Sequence, residues 1–176
     1  EKSVTLFKRD KNSDENSVYS YIVLDEPDKE FVINFKPGDS FSRKAKIIGI
    51  DSNSKGFEAL IDLSNEEVVS IISLSENAGP TYTMVEIMTA IQLTLENEEY
   101  QEALKKRGIT DLNLIQMDPW PGGGIVNKNI KKGHRALKTI SFLKESPDDN
   151  AYAKPISGLI SHVDVTDKCV VEIEDH

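Results

Sequence analysis

Apolar positions in the first half of the chain follow the short period of strands. Tyr19 to Leu24 is rich in aromatic and β-branched residues and predicts a strand, closed by Asp25-Glu26-Pro27-Asp28. Phe31 to Phe35 alternates in the same way before the turn Pro37-Gly38. Ala45 to Ile50 predicts a further strand. Phe57 to Leu63 and Val68 to Leu74 flank Ser64 to Glu67 and predict a hairpin. Upstream, Val4, Leu6 and Phe7 fit the last turn of a helix that starts mostly before residue 1, and Lys8 to Ser17 reads as a polar loop.

The period changes after Asn77-Ala-Gly-Pro80, the expected linker. Thr83 followed three residues later by Glu86 is a capping-box arrangement, which opens a helix. Met84, Ile87, Met88, Ile91 and Leu95 recur at helical spacing and predict one buried face. Asn97 starts a second helical segment. It ends on Lys105-Lys106-Arg107, favourable at the negative end of the helix dipole, and on Gly108 as a left-handed stop. Strands are predicted at Leu112 to Met117, Ala136 to Leu143, Leu159 to Val165 and Cys169 to Ile173.

The two halves share a string of residues. Ile61-Asp-Leu-Ser-Asn-Glu-Glu-Val-Val-Ser-Ile71 reappears 102 residues later, without a gap, as Val163-Asp-Val-Thr-Asp-Lys-Cys-Val-Val-Glu-Ile173. A period this long suits whole repeated domains better than a solenoid, whose period is roughly 20–50 residues. The expected fold class is therefore α+β, with two tandem domains at residues 1–78 and 79–176. Each is a helix packed on a four-stranded antiparallel sheet, the first lacking most of its helix.

Composition narrows the function. The net charge is −9, split as −5 over residues 1–79 and −4 over the remainder, so acidity is spread over a solvated surface. An acidic chain argues against nucleic acid as a partner. The basic cluster Lys128 to Arg135 lacks interleaved aromatics and reads as a solvated hairpin. No apolar run approaches the length of a membrane span. The chain starts at Glu1 with neither Met nor a signal peptide, so a processed or truncated piece is expected.

Few residues offer chemistry. His134, His162 and His176 have no partner at metal-ligand spacing in the sequence. His162, beside Val163, reads as a satisfied structural histidine. The lone Cys169, at the start of a predicted strand before Val170-Val171, reads as a small buried hydrophobe, although a Cys169 nucleophile with His162 as its base is a conceivable pair. Gly122-Gly-Gly124 lacks the Lys-Ser/Thr of a phosphate loop and reads as a turn.

Three segments go beyond a generic α+β pattern: Arg107-Gly-Ile-Thr-Asp111, then Asp118-Pro-Trp120 with glycines close behind, then Asn150-Ala-Tyr-Ala-Lys-Pro-Ile-Ser-Gly-Leu159. This ordered series resembles the third N-terminal domain of copper-containing amine oxidases. Leu24-Asp-Glu-Pro-Asp-Lys29 and Arg43-Lys-Ala-Lys46 resemble the second N-terminal domain of the same enzymes. The resemblance runs from about residue 18 to the end and implies a cystatin-like fold in both halves. Departures are Pro121-Gly122-Gly123, where Ser-Ala-Gly is more usual, and Ser157, where an acidic residue is common.

The resemblance also implies where the chemistry lies. In that family a later, larger β-domain carries three copper-binding histidines, a catalytic Asp, and a Tyr in an Asn-Tyr-Asp/Glu context that becomes topaquinone. None of the five tyrosines here follows Asn. No catalytic residue, metal ligand or cofactor is therefore expected in this chain, and copper and topaquinone belong to the parent enzyme. The parent is implied to be a homodimer that oxidises primary amines, tyramine-like or other monoamines, to aldehyde, ammonia and hydrogen peroxide. An extracellular, cell-surface or periplasmic location is expected for it. The chain's own expected role is scaffold and part of the amine channel wall, with the missing catalytic domain as its partner. The positions matching the family's channel residues are Pro119 and Trp120 in the Asp-Pro-aromatic turn, Tyr152 in the Tyr-Ala-x-Pro segment, and Ile87 near the helix start. The alternative is a stand-alone cystatin-like binding module. A cystatin inhibitor would want a Gln-x-Val-x-Gly loop, which the sequence lacks.

Overall fold

In a computed structural model, residues 1–10, 17–52, 55–75, 79–122 and 127–176 are described. The expected linker at Asn77 and the glycines beyond Gly122 lie outside them in part. The chain divides into two compact units, Glu1–Thr81 and Tyr82–His176. Each carries a four-stranded antiparallel sheet in plain meander order, with helix on one face, so the architecture is α+β twice over.

The first unit opens with helix α1 (Lys2–Arg9), followed by β1 (Val18–Asp25), a short helix α2 (Lys29–Asn34), β2 (Lys44–Ile50), β3 (Gly56–Asp62) and β4 (Glu67–Ser73). Leu6 and Phe7 of α1 drop onto Ile47, Phe57, Ala59 and Ile61. Phe7 stacks on Phe57 at 5.3 Å, and Tyr19 meets both rings edge-on. Burial in β2 and β3 alternates strictly until the end of β3, as a sheet with one covered face requires. The alternation expected for Phe31 to Phe35 is corrected to helix. Asp28 accepts the Phe31 amide at 2.8 Å and caps α2, while Phe31, Phe35 and Phe41 gather into a triad with centroids about 6 Å apart.

The second unit begins with α3 (Met84–Glu96) and α4 (Glu98–Lys106). Both parts of the capping box at Thr83 and Glu86 are present. Asn97 accepts the Tyr100 amide to start α4, and Gly108 follows at φ +75°. A 3-10 turn (Leu112–Leu114) then leads to β5 (Ile115–Pro121), β6 (Ala136–Leu143), β7 (Pro155–Asp164) and β8 (Cys169–Asp175). Two expectations change here. Leu112 to Leu114 is 3-10 helix, and the Asp118-Pro-Trp120 segment lies within β5, paired residue for residue with β6. Proline is tolerated in β5 because it is an edge strand.

The buried face of α3 is rotated from the one periodicity predicts. Met84 and Met88 are exposed, whereas Ala90 and Thr94 have no exposure at all. The helix approaches the sheet on these small residues. Thr94 Oγ1 donates to Ser161 Oγ at 2.9 Å and lies 3.3 Å from Thr139 Oγ1, and Tyr100 Oη is 2.6 Å from Ser141 Oγ. A row of hydroxyls is thus buried and hydrogen-bonded between helix and sheet, flanked by apolar clusters around Leu159 and Leu137.

Candidate functional site

Strand alternation separates two faces of the second sheet. Met117, Leu137, Thr139, Ser141, Leu159 and Ser161 face the helices and are buried. Residues one step along, including Asp118, Trp120, Lys138 and Phe142, share the opposite face.

On that helix-free face Trp120 is 56% exposed. Its indole N–H donates to Asp118 Oδ2 at 2.7 Å, which fixes the ring beside a carboxylate. Tyr152 is 54% exposed, and its ring meets Phe142 edge-on at 5.1 Å. Trp120 pairs with Lys138 and Gln116 with Phe142, so the two aromatic sites are four strand positions apart, about 13 Å at the usual rise. The other two expected residues lie elsewhere. Pro119 is half-buried on the helix side of β5, opposite Thr139. Ile87 packs against Ala90, Leu137 and Val163 beneath α3. The four positions therefore do not converge on one spot: Trp120 and Tyr152 share a face, while Pro119 and Ile87 pack behind it.

His134 stands apart from His162 and His176, which both face Glu174, with His176 Nε2 3.9 Å from Glu174 Oε2. His162 is buried, with Nε2 2.5 Å from Glu174 Oε1, and is satisfied as the sequence suggests. His134 departs from the sequence reading. Its Nδ1 lies 2.7 Å from Asp164 Oδ2 and 3.7 Å from Asp167 Oδ2, and Lys131 Nζ is 2.6 Å from the latter oxygen. Ligand spacing in the sequence misses this trio, because His134 comes from the β5–β6 connection, Asp164 from the end of β7 and Asp167 from the β7–β8 turn. The basic stretch is also less solvated than expected. Arg135 binds Glu86 through Nε at 2.5 Å and Nη2 at 3.2 Å, and its guanidinium sits 4.1 Å above the Tyr82 ring. Burial opposes the charge on Glu86, but the bonds from Arg135 and Thr83 outweigh it and hold the carboxyl below its ordinary range.

Cys169 is exposed, contrary to the expectation of burial, because it starts edge strand β8 beside the turn. Partial desolvation and the nearby carboxylates of Asp164 and Asp167 push its thiol upward, the wrong direction for a nucleophile at neutral pH. His162, its supposed base, is bonded to Glu174. The chain thus presents an aromatic surface and structural polar networks, without an assembled Cys–His pair.

Comparison with known proteins bears on the family and the fold. The family model for the copper amine oxidase N2 domain matches residues 1–73, and that for the copper amine oxidase N3 domain matches residues 85–176. The chain is 29% identical to a primary amine oxidase of Arthrobacter sp. over 99% of its length, covering 26% of that protein. It is also 29% identical to a primary amine oxidase of Klebsiella aerogenes over 99% of its length, covering 23% of it. It thus spans about a quarter of the length of these curated relatives. The crystal structure of a copper-containing benzylamine oxidase from Hansenula polymorpha superposes with a TM-score of 0.71 at 15% identity, over 99% of this chain and 28% of that one. On these matches, and on the duplicated helix-and-meander unit, the chain belongs to the copper amine oxidase family and comprises its N2 and N3 domains.

Proposed function

We propose that this domain pair is the non-catalytic front of a larger copper- and topaquinone-dependent primary amine oxidase, in which it acts as scaffold and contributes to the wall of the amine channel. The domain boundary falls near residues 78–81 in this reading. The parent is a homodimer converting monoamines to aldehyde, ammonia and hydrogen peroxide, and the catalytic domain is the pair's principal partner.

The observation that supports the channel role is the exposure of Trp120 and Tyr152 on the helix-free sheet face, each held by a neighbour: Trp120 by Asp118, Tyr152 by Phe142. Anchored aromatics of this kind suit an apolar amine side chain. Pro119 and Ile87 act from behind, as packing that holds β5 and α3 in place. The chain's own residues do not suit the three-imidazole copper centre that the resemblance implies for the parent, because His134 lies beside Asp164 while His162 and His176 lie beside Glu174. No step of the oxidation is assigned to this chain.

In the full-length enzyme, Trp120→Ala is expected to change kcat/KM for bulky amines several-fold more than for methylamine-sized substrates, while copper and quinone content stay constant. Steady-state kinetics across amines of graded size, with metal analysis, checks this. Identical effects on all amines would sink the channel role.

A further inference from the structure

The duplicated hairpin turn supplies an internal comparison. In each unit a buried aspartate closes the turn. Asp62 Oδ1 accepts the amides of Ser64 and Asn65, and Asp164 Oδ1 accepts those of Thr166 and Asp167, all at 2.9–3.0 Å. The resemblance extends to the strands. The pairing irregularity between Leu60 and Ile61 recurs between His162 and Val163, and positive φ at Glu66 recurs at Lys168. It extends to the neighbouring segment as well. The Arg43 amide donates to Ser64 Oγ as the Arg135 amide donates to Thr166 Oγ1. Ser42 in the first unit therefore stands where His134 stands in the second, and Asn65 where Asp167 stands.

With the backbone matched, the side chains around the second carboxylate oxygen can be compared directly. Asp62 Oδ2 accepts from two neutral donors, the Ser42 hydroxyl and the Asn65 amide. Among the described residues, Asp164 Oδ2 has one hydrogen-bond partner, His134 Nδ1. Where Asn65 supplies a donor, Asp167 brings a second carboxylate instead. Asp164 is only 2% exposed, so it is a buried oxygen lacking one of the donors its counterpart has, aimed at a position shared with an imidazole nitrogen and another carboxylate. The three ligand atoms lie within 4.8 Å of one another.

We propose that His134, Asp164 and Asp167 form a site for a borderline divalent cation such as zinc. One nitrogen and two carboxylate oxygens, at about 2.0–2.2 Å from the ion, are an ordinary set for it, with solvent completing the coordination. The ion replaces the proton between His134 and Asp164, displaces the Lys131 ammonium from Asp167, and neutralises the two carboxylates. It pins the β5–β6 connection to the β7–β8 turn. The corresponding turn of the first unit has Ser42 and Asn65 in place of His134 and Asp167.

The test is zinc chloride titration of the chelator-stripped chain, followed by calorimetry, thermal unfolding, and the imidazole nitrogen shifts of His134. One saturable equivalent is expected, with a rise in Tm that grows with zinc concentration and a shift confined to His134. The double variant His134→Ser, Asp167→Asn gives the second turn the side chains that already close the first, so its fold is provided for. It is expected to bind zinc about a hundredfold more weakly or worse. Asp167→Asn alone serves as the milder variant, and Cys169→Ser, which removes the nearby thiol, is expected to bind as the parent does. Absence of saturation up to about 100 μM zinc, non-saturable uptake (an adventitious ion only), or equal binding by the double variant would each overturn the site.

Discussion

At the scale of the residue, the buried aspartate of the first turn carries a measurable pH signature. The Ser42 hydroxyl, with the amide groups of Asn65 and Ser64, lowers the Asp62 carboxyl to about 2. A depressed folded-state value contributes stability that is fully present above the unfolded value near 4 and is lost as pH falls toward 2. Asp62→Asn is therefore expected to lower the stability of the first unit at neutral pH. It should also flatten that unit's stability loss between about pH 4 and pH 2, as read from urea unfolding at a series of pH values. An unchanged acid profile would show that Asp62 is not the titrating group. Asp62 and Asp164 were legible in the sequence, because they fall on each other in the 102-residue repeat. Their partners were not. Ser42 and His134 are 92 residues apart, so the register of the repeat does not carry through the connecting segment that delivers them. The exposure of Cys169 was not legible for a related reason: the apolar Val170-Val171 that follow it say nothing about which end of which strand is at an edge.

At the scale of the element, local chemistry was the more readable part. Side chains that bond their own backbone leave a signature within four residues, which is why the caps at Thr83 and Asn97 were legible. Thr83→Ala removes the acceptor for the Glu86 amide and the hydroxyl that bonds Glu86 Oε2. It is expected to cost about 1 kcal/mol in the second unit, measurable by denaturant unfolding. A loss below a few tenths would mean that the Arg135–Glu86 pair holds the helix start unaided. The face of α3 was less legible. A search for apolar period finds Met84 and Met88, yet the closest approach uses Ala90 and Thr94, because buried Thr139 and Ser161 offer hydroxyls rather than apolar surface. The short helix α2 was missed since six residues hold less than two turns, and its aromatic spacing serves the Phe31–Phe35–Phe41 triad as well as it would a strand.

At the scale of the whole molecule, each unit closes its own core. The Phe7–Phe57 cluster uses residues of the first unit alone, and the clusters around Leu104 and Leu137 use only the second. Residues 82–176 expressed alone are therefore expected to unfold cooperatively in urea and to give a dispersed amide spectrum. A non-cooperative transition would show that this unit depends on the first. The sheet order has a further, kinetic consequence. Every strand pairs with its neighbour in sequence, so the sheets need no crossover, and the β3–β4 and β7–β8 hairpins close over short turns. Such local pairing keeps the entropic barrier to folding low and favours fast formation. On a ribosome, where domains generally fold as units from the N-terminal side, the first meander has all its strands before the second begins to emerge. The near-identical hairpin turns are then formed one after the other, which limits the chance that β4 and β8 compete for the same partner strand.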